Sequence, residues 1–107
     1  MDIEELIKLL KEELLLVLGE SYGDYKKETK ADVEAFLTLS KVKLERWTNL
    51  LQSGELTVED YEWLLVSQKD LLILNALHQA GVSKLRLGHL KNKIIKTIVN
   101  TVITVVI

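Results

Sequence analysis

The sequence predicts an all-α protein: an antiparallel up-down helical bundle of three long helices plus a shorter N-terminal helix. Three observations carry that prediction. Apolar residues recur at spacings of three and four along most of the chain, the period of a helix with one buried face. The chain has no proline and five glycines, and Gly19, Gly23, Gly54 and Gly81 fall where the periodicity breaks. Its 107 residues are 48% hydrophobic, enough for one domain with a core and too apolar for a disordered chain.

The first helix is predicted over 2–18. Ile3, Leu6, Ile7, Leu10, Leu14 and Val17 form its stripe, with Glu4, Glu5, Lys8, Lys11 and Glu12 between them. Asp2 suits the N-cap and Glu5 follows three residues later, an approximate capping box. Gly19 is the expected stop. Residues 19–27 (GESYGDYKK) read as the principal loop and hinge.

The second helix is predicted over 28–52, with Val33, Phe36, Leu37, Leu44, Trp47, Leu50 and Leu51 inward and Ser40 filling the remaining step. A tight turn at 53–56 follows. Thr57 caps the third helix, predicted over 58–80, with Asp60 three residues on. Tyr61, Leu64, Leu65, Gln68, Leu71, Leu72, Asn75, Ala76 and Gln79 trace its stripe. Trp47 and Trp63 flank the turn at similar distances, which predicts a small aromatic core there that Tyr61 can join.

Gly81 ends the third helix and Ser83 caps the fourth, predicted over 84–106. The segment 97–107 is rich in β-branched residues, as a strand would be. Helix is favoured because Thr97, Asn100, Thr101 and Thr104 recur at three and four, not two, and because no partner strand exists. Helix propensity there is poor, so packing must hold it.

A helix buried on one face needs about three apolar positions in seven. The tail exceeds this, and 14–18 is apolar all round. The sequence therefore predicts a homo-oligomer, most simply a dimer, with Leu14, Leu18, Ile95, Val99, Val102, Ile103 and Val106 in the interface.

The net charge of −2 is an average. Residues 1–70 hold all 16 acids and 9 of the 14 bases, a net −7; residues 71–107 hold only Lys84, Arg86, Lys91, Lys93 and Lys96, a net +5. Those five form a candidate basic surface for an acidic protein partner, nucleic acid or anionic lipid. The acidic start Met1-Asp2-Ile3-Glu4-Glu5 is unlike a secretory signal, which predicts a cytoplasmic protein. No uncharged stretch, 97–107 included, is long enough to span a membrane, which takes about 20 residues.

Chemistry is poorly represented. The chain has no cysteine, hence no disulfide, thiolate site or cysteine nucleophile. His78 and His89 are preceded at −3 by Asn75 and Arg86, so neither forms the Glu-x-x-His pair of a di-iron bundle, and no metal or cofactor is expected. The letters Gly19-Glu20-Ser21-Tyr22-Gly23 match a nucleophile elbow but follow a helix, with no Asp/His pair to serve the serine. The carboxylates fall at salt-bridge spacing on exposed helix positions, as in Glu4 and Lys8.

One segment carries a resemblance. Ala80-Gly81-Val82-Ser83-Lys84-Leu85-Arg86-Leu87-Gly88-His89-Leu90 resembles the turn and recognition helix of helix-turn-helix repressors of the lactose-repressor type. In that pattern apolar residues follow the serine at +4 and +7, here Leu87 and Leu90. The resemblance implies that Lys84, Arg86 and His89 face a DNA groove. It covers about 20 residues within 73–92 and departs at Leu77, where such motifs need a small residue.

The expected function is a non-enzymatic, oligomeric helical bundle acting as a structural or protein-interaction module. The alternatives are a DNA-binding protein using 73–92, and a peripheral membrane protein using helix one or the tail.

Overall fold

The computed structural model describes residues 2–21, 23–68 and 72–106; of Ser21 only the backbone is described. Its elements are α1 (Ile3–Ser21), a 3-10 turn (Gly23–Tyr25), α2 (Lys26–Gln52), α3 (Val58–Ser67), α4 (Asn75–Gln79) and α5 (Lys84–Val106), and the described residues hold no strand. The protein is an all-α helical bundle.

Three helices, α1, α3 and α5, start where their own capping residues place them. Asp2 Oδ1 accepts from the Glu4 amide at 3.0 Å, and the Ser83 hydroxyl accepts from the Arg86 amide at 3.3 Å. Thr57 and Asp60 close a full capping box: the Thr57 hydroxyl accepts from the Asp60 amide at 3.0 Å, and the Asp60 carboxylate from the Thr57 amide at 3.3 Å. Both partners satisfy amides that the first turn leaves unbonded. Gly81 takes φ +100°, a conformation costly for any residue with a Cβ. This lets the Val82 amide turn back to the Leu77 carbonyl at 3.1 Å.

α1 lies along α2 and α5. Lys11 pairs with Glu34 at 2.6 Å, and Lys41 pairs with Glu4. The order of these pairs means that α1 and α2 run in opposite directions. Leu6, Leu10, Leu14 and Leu18 are all buried, one per turn, against Val33, Phe36, Leu37 and Leu44 of α2 and Leu90, Ile94, Ile98 and Val102 of α5 in a single cluster. Burying each such side chain stabilises the fold by about 2 kcal/mol relative to leaving it in water.

The β-branched tail is helical through Val106. Thr97 and Thr104 return their hydroxyls to the Lys93 and Asn100 carbonyls at 2.8 and 2.9 Å, which satisfies them within the helix. Ile107 lies outside the described residues.

Two expectations are corrected. The loop expected over 19–27 is largely helical: α1 runs to Ser21 and α2 starts at Lys26. Gly19 has no positive φ, so it acts as an ordinary helical residue and stops nothing.

The second correction is larger. The helix expected over 58–80 is two helices, α3 and α4, with 72–74 non-helical between them. The break allows alternation: Leu72 and Leu74 are buried while Ile73 between them is exposed. In a continuous helix consecutive residues lie about 100° apart, so burying this pair would take an apolar face about 160° wide. Asp32 of α2 then supplies the cap that Leu74 lacks: its carboxylate accepts from the Ala76 and Leu77 amides at 3.0 and 2.9 Å.

Candidate interaction surface

The apolar surplus that suggested an oligomer interface is mostly absorbed within one chain. Leu14, Leu18, Ile95, Val99 and Val102 are buried, and Ile103 and Val106 are half-buried against the same core. The helix-by-helix count overstates what must be covered from outside, because the ends of α1 and α5 face neighbouring helices on more than one side. Leu9 and Glu13 of α1, for example, lie beside Thr101 and Val105 of α5.

The apolar side chains that remain outside form a different set. On α3, Trp63 is 69% exposed, with Val66 one turn on. The aromatic core expected from Trp47 and Trp63 is instead built by Tyr61, which is fully buried and shares a hydrogen bond of 3.1 Å with Thr48. Burial holds the Tyr61 phenol above its ordinary pKa, and the bond to Thr48 offsets this in part. Trp47 is half-buried against the core. Tyr61 and Leu65 point inward one turn apart, which rotates Trp63 between them to the outside.

Beside Val66, a groove of about 390 Å³ runs between α3 and α5. Ile95 and Val99 line it as apolar residues, and Glu62, Lys96 and Asn100 as polar ones. Thus Ile95 and Val99, two of the seven predicted interface residues, border this groove, although each is only 5% exposed.

On α2, Leu39 and Val42 are 62% and 70% exposed. Neither was singled out from the sequence. Their spacing of three is the available signal, because it lies off the stripe set by Val33, Phe36, Leu37 and Leu44.

The five cations of α5 do not share one face. Lys84, Arg86 and Lys96 are exposed, and Lys91 and Lys93 are half-buried. At about 100° per residue, Arg86, Lys93 and Lys96 fall on the outward side with His89, while Lys84 and Lys91 fall in line with the buried face. The two ion pairs described above belong to α1 and α2, and both are exposed. The Lys11 ammonium bonded to Glu34 lowers that carboxyl's pKa, and the Glu4 carboxylate bonded to Lys41 raises that of the ammonium.

The segment resembling a helix-turn-helix has the expected turn. Gly81 carries the positive φ, Val82, Leu87 and Leu90 are buried, and Lys84, Leu85, Arg86 and His89 are exposed. It also keeps the departure noted in the sequence, with Leu77 buried where a small residue belongs; the helix before the turn, α4, has five residues.

A second opening, of about 290 Å³, lies where α1 ends against the start of α2, lined by Leu15, Gly19, Thr29, Lys26 and Lys30. The Thr29 hydroxyl is buried and has no hydrogen-bond partner among the described residues. His78 and His89 are exposed and far from forming a ligand set; among the described residues no group of three His, Asp or Glu could hold a metal ion. Among those residues no helix is long and apolar enough to cross a membrane.

No family model matches the chain, and neither the curated proteins nor the solved structures contain a match.

Proposed function

We propose that the protein is a non-enzymatic, oligomeric helical bundle that acts as a structural or protein-interaction module. The observation that carries this is that large apolar side chains are left outside a filled core, among them Leu39 and Val42 on α2 and Trp63 and Val66 on α3. The core is already closed by α1 and α5, so most of the surface of these residues is left to solvent. Apolar residues grouped on a surface mark contacts with other molecules, and tryptophan is enriched where such contacts are strongest. The polar residues around them, Glu62 and Lys96 beside the groove, supply the charged border that protein interfaces have. The cations of α5 suit an acidic protein surface as a further contact.

Sedimentation equilibrium of the full chain at micromolar concentration tests the self-assembly. A mass above one chain is expected, and a clean monomer would overturn it.

A second reading, binding to DNA through the start of α5, rests on the exposure of Lys84 and His89 after the Gly81 turn. Its test is binding to random duplex DNA against salt. Phosphate contacts give a steep negative slope, and no binding at low salt removes the reading.

A further inference from the structure

The outer face of α2 carries Ala31, Ala35, Thr38 and Val42, all exposed. Their spacings of four, three and four are those of a heptad seam. At about 100° per residue the four fall within an arc of about 60°, so they form one straight strip. No charged residue lies on the strip. Its edges are charged near the ends: Lys27 and Glu45 lie along one edge, and Glu28 and Arg46 along the other. Leu39 borders it on the second edge.

Resting on the reading that the chain self-assembles, we propose that this strip binds the same strip of a second copy, antiparallel, about a two-fold axis passing between Ala35 and Thr38. In that register Ala31 meets the partner's Val42, and Ala35 meets the partner's Thr38. Each layer joins a smaller residue to a larger one, so the helix separation stays even along the seam. A parallel pair would set alanine on alanine at one end and valine on valine at the other, and the helices would splay. Leu39 covers the partner's Ala35.

The charges agree with the register. Two-fold symmetry repeats each contact twice. Lys27 faces the partner's Glu45, Glu28 faces the partner's Arg46, and four opposite-charge pairs close the ends of the seam. A self-complementary face of this kind fits a second copy of this chain better than an unrelated acidic or basic protein, which would match only half of the charges.

The test uses three variants of the full chain, read by sedimentation equilibrium, with helix content by circular dichroism confirming the fold. All substituted positions are exposed or half-exposed, so the monomer is retained. Val42→Glu is expected to abolish the dimer. Glu45→Lys is expected to weaken it about tenfold, because two attractive contacts become repulsive. The double variant Lys27→Glu with Glu45→Lys is expected to restore it. A parallel pair gives the opposite result for the double variant, since each charge would then meet a like charge on the facing edge, and further weakening overturns the proposal. A dimer indifferent to Val42→Glu and Glu45→Lys overturns this interface while leaving self-assembly standing. A wild-type monomer overturns both.

Discussion

The Asp32 carboxylate accepts a hydrogen bond from the Leu77 amide at 2.9 Å, reaching from the middle of α2 into the first turn of α4. Its other oxygen accepts from Ala76 at 3.0 Å. Both residues of the first pair are buried. The contact spans 45 positions in sequence and fixes where the chain re-enters a helix after α3. An anion at a helix N-terminus is also favoured by the peptide dipoles.

Asp32→Ala is therefore expected to destabilise the protein by about 2–3 kcal/mol, because it strands one buried and one part-buried amide. Urea unfolding measures it. Asp32→Asn keeps one good acceptor and should cost less. Equal stability of Asp32→Ala and the wild type would contradict this role for the contact.

Tyr61 predicts a pH dependence. Its phenol is raised above the ordinary value near 10 by burial, so the folded state holds the proton more tightly than the unfolded one. The stability it contributes is fully present below about pH 10 and is lost as pH rises toward the folded value. Tyr61→Phe should flatten the alkaline fall in stability, measured as the difference between the two proteins' unfolding midpoints across that range. At neutral pH the same variant loses the bond to Thr48 and should cost about 1 kcal/mol.

Ser40 is buried on α2 and its hydroxyl has no partner among the described residues. A buried hydroxyl without a bond carries a desolvation cost. Ser40→Ala is expected to leave stability unchanged or raise it by about 1 kcal/mol, read as a higher thermal midpoint. A loss of more than about 1 kcal/mol would mean that the hydroxyl is bonded in solution.

The two tryptophans should separate by fluorescence. Trp63 stands in water and Trp47 is half-buried. Trp63→Phe should therefore shift the emission of the monomeric chain toward the blue and change its stability by no more than about 0.5 kcal/mol. Trp47→Phe should shift the emission toward the red and cost more. Equal effects would mean that Trp63 is not on the surface.

The capping box at α3 gives a direct magnitude. Thr57→Ala removes the hydroxyl bonded to the Asp60 amide and should cost about 1 kcal/mol. Thermal unfolding checks it.

What could be read from the sequence were features set by neighbours within one turn or two. Helix starts at Asp2, Thr57 and Ser83 depend on side chains that reach their own first turn. The inward stripe of α2 depends only on period. The helical tail could be read because its threonines recur at helical spacing, even though β-branched residues favour strands. The sequence places Trp63 in an aromatic core and the structure places it outside, since which residue of α3 points inward depends on what α2 offers it, and Thr48 offers a partner to Tyr61.

The sequence by itself determined that this protein is all helical, with the polar side chains that cap its helices and the apolar period that gives each a buried face. Only the tertiary structure decided which apolar residues stay outside. The ends of α1 and α5 cover each other, so the surplus counted at Leu14, Leu18 and Val102 becomes core, and Leu39, Val42 and Trp63 become the surface. It also decided that the third predicted helix breaks, because its restart at Asn75 is capped by Asp32. The physical reason is common to both. A period records which face of a helix is apolar, but whether a face is covered, and whether a helix end is capped from afar, depends on atoms supplied by distant parts of the chain.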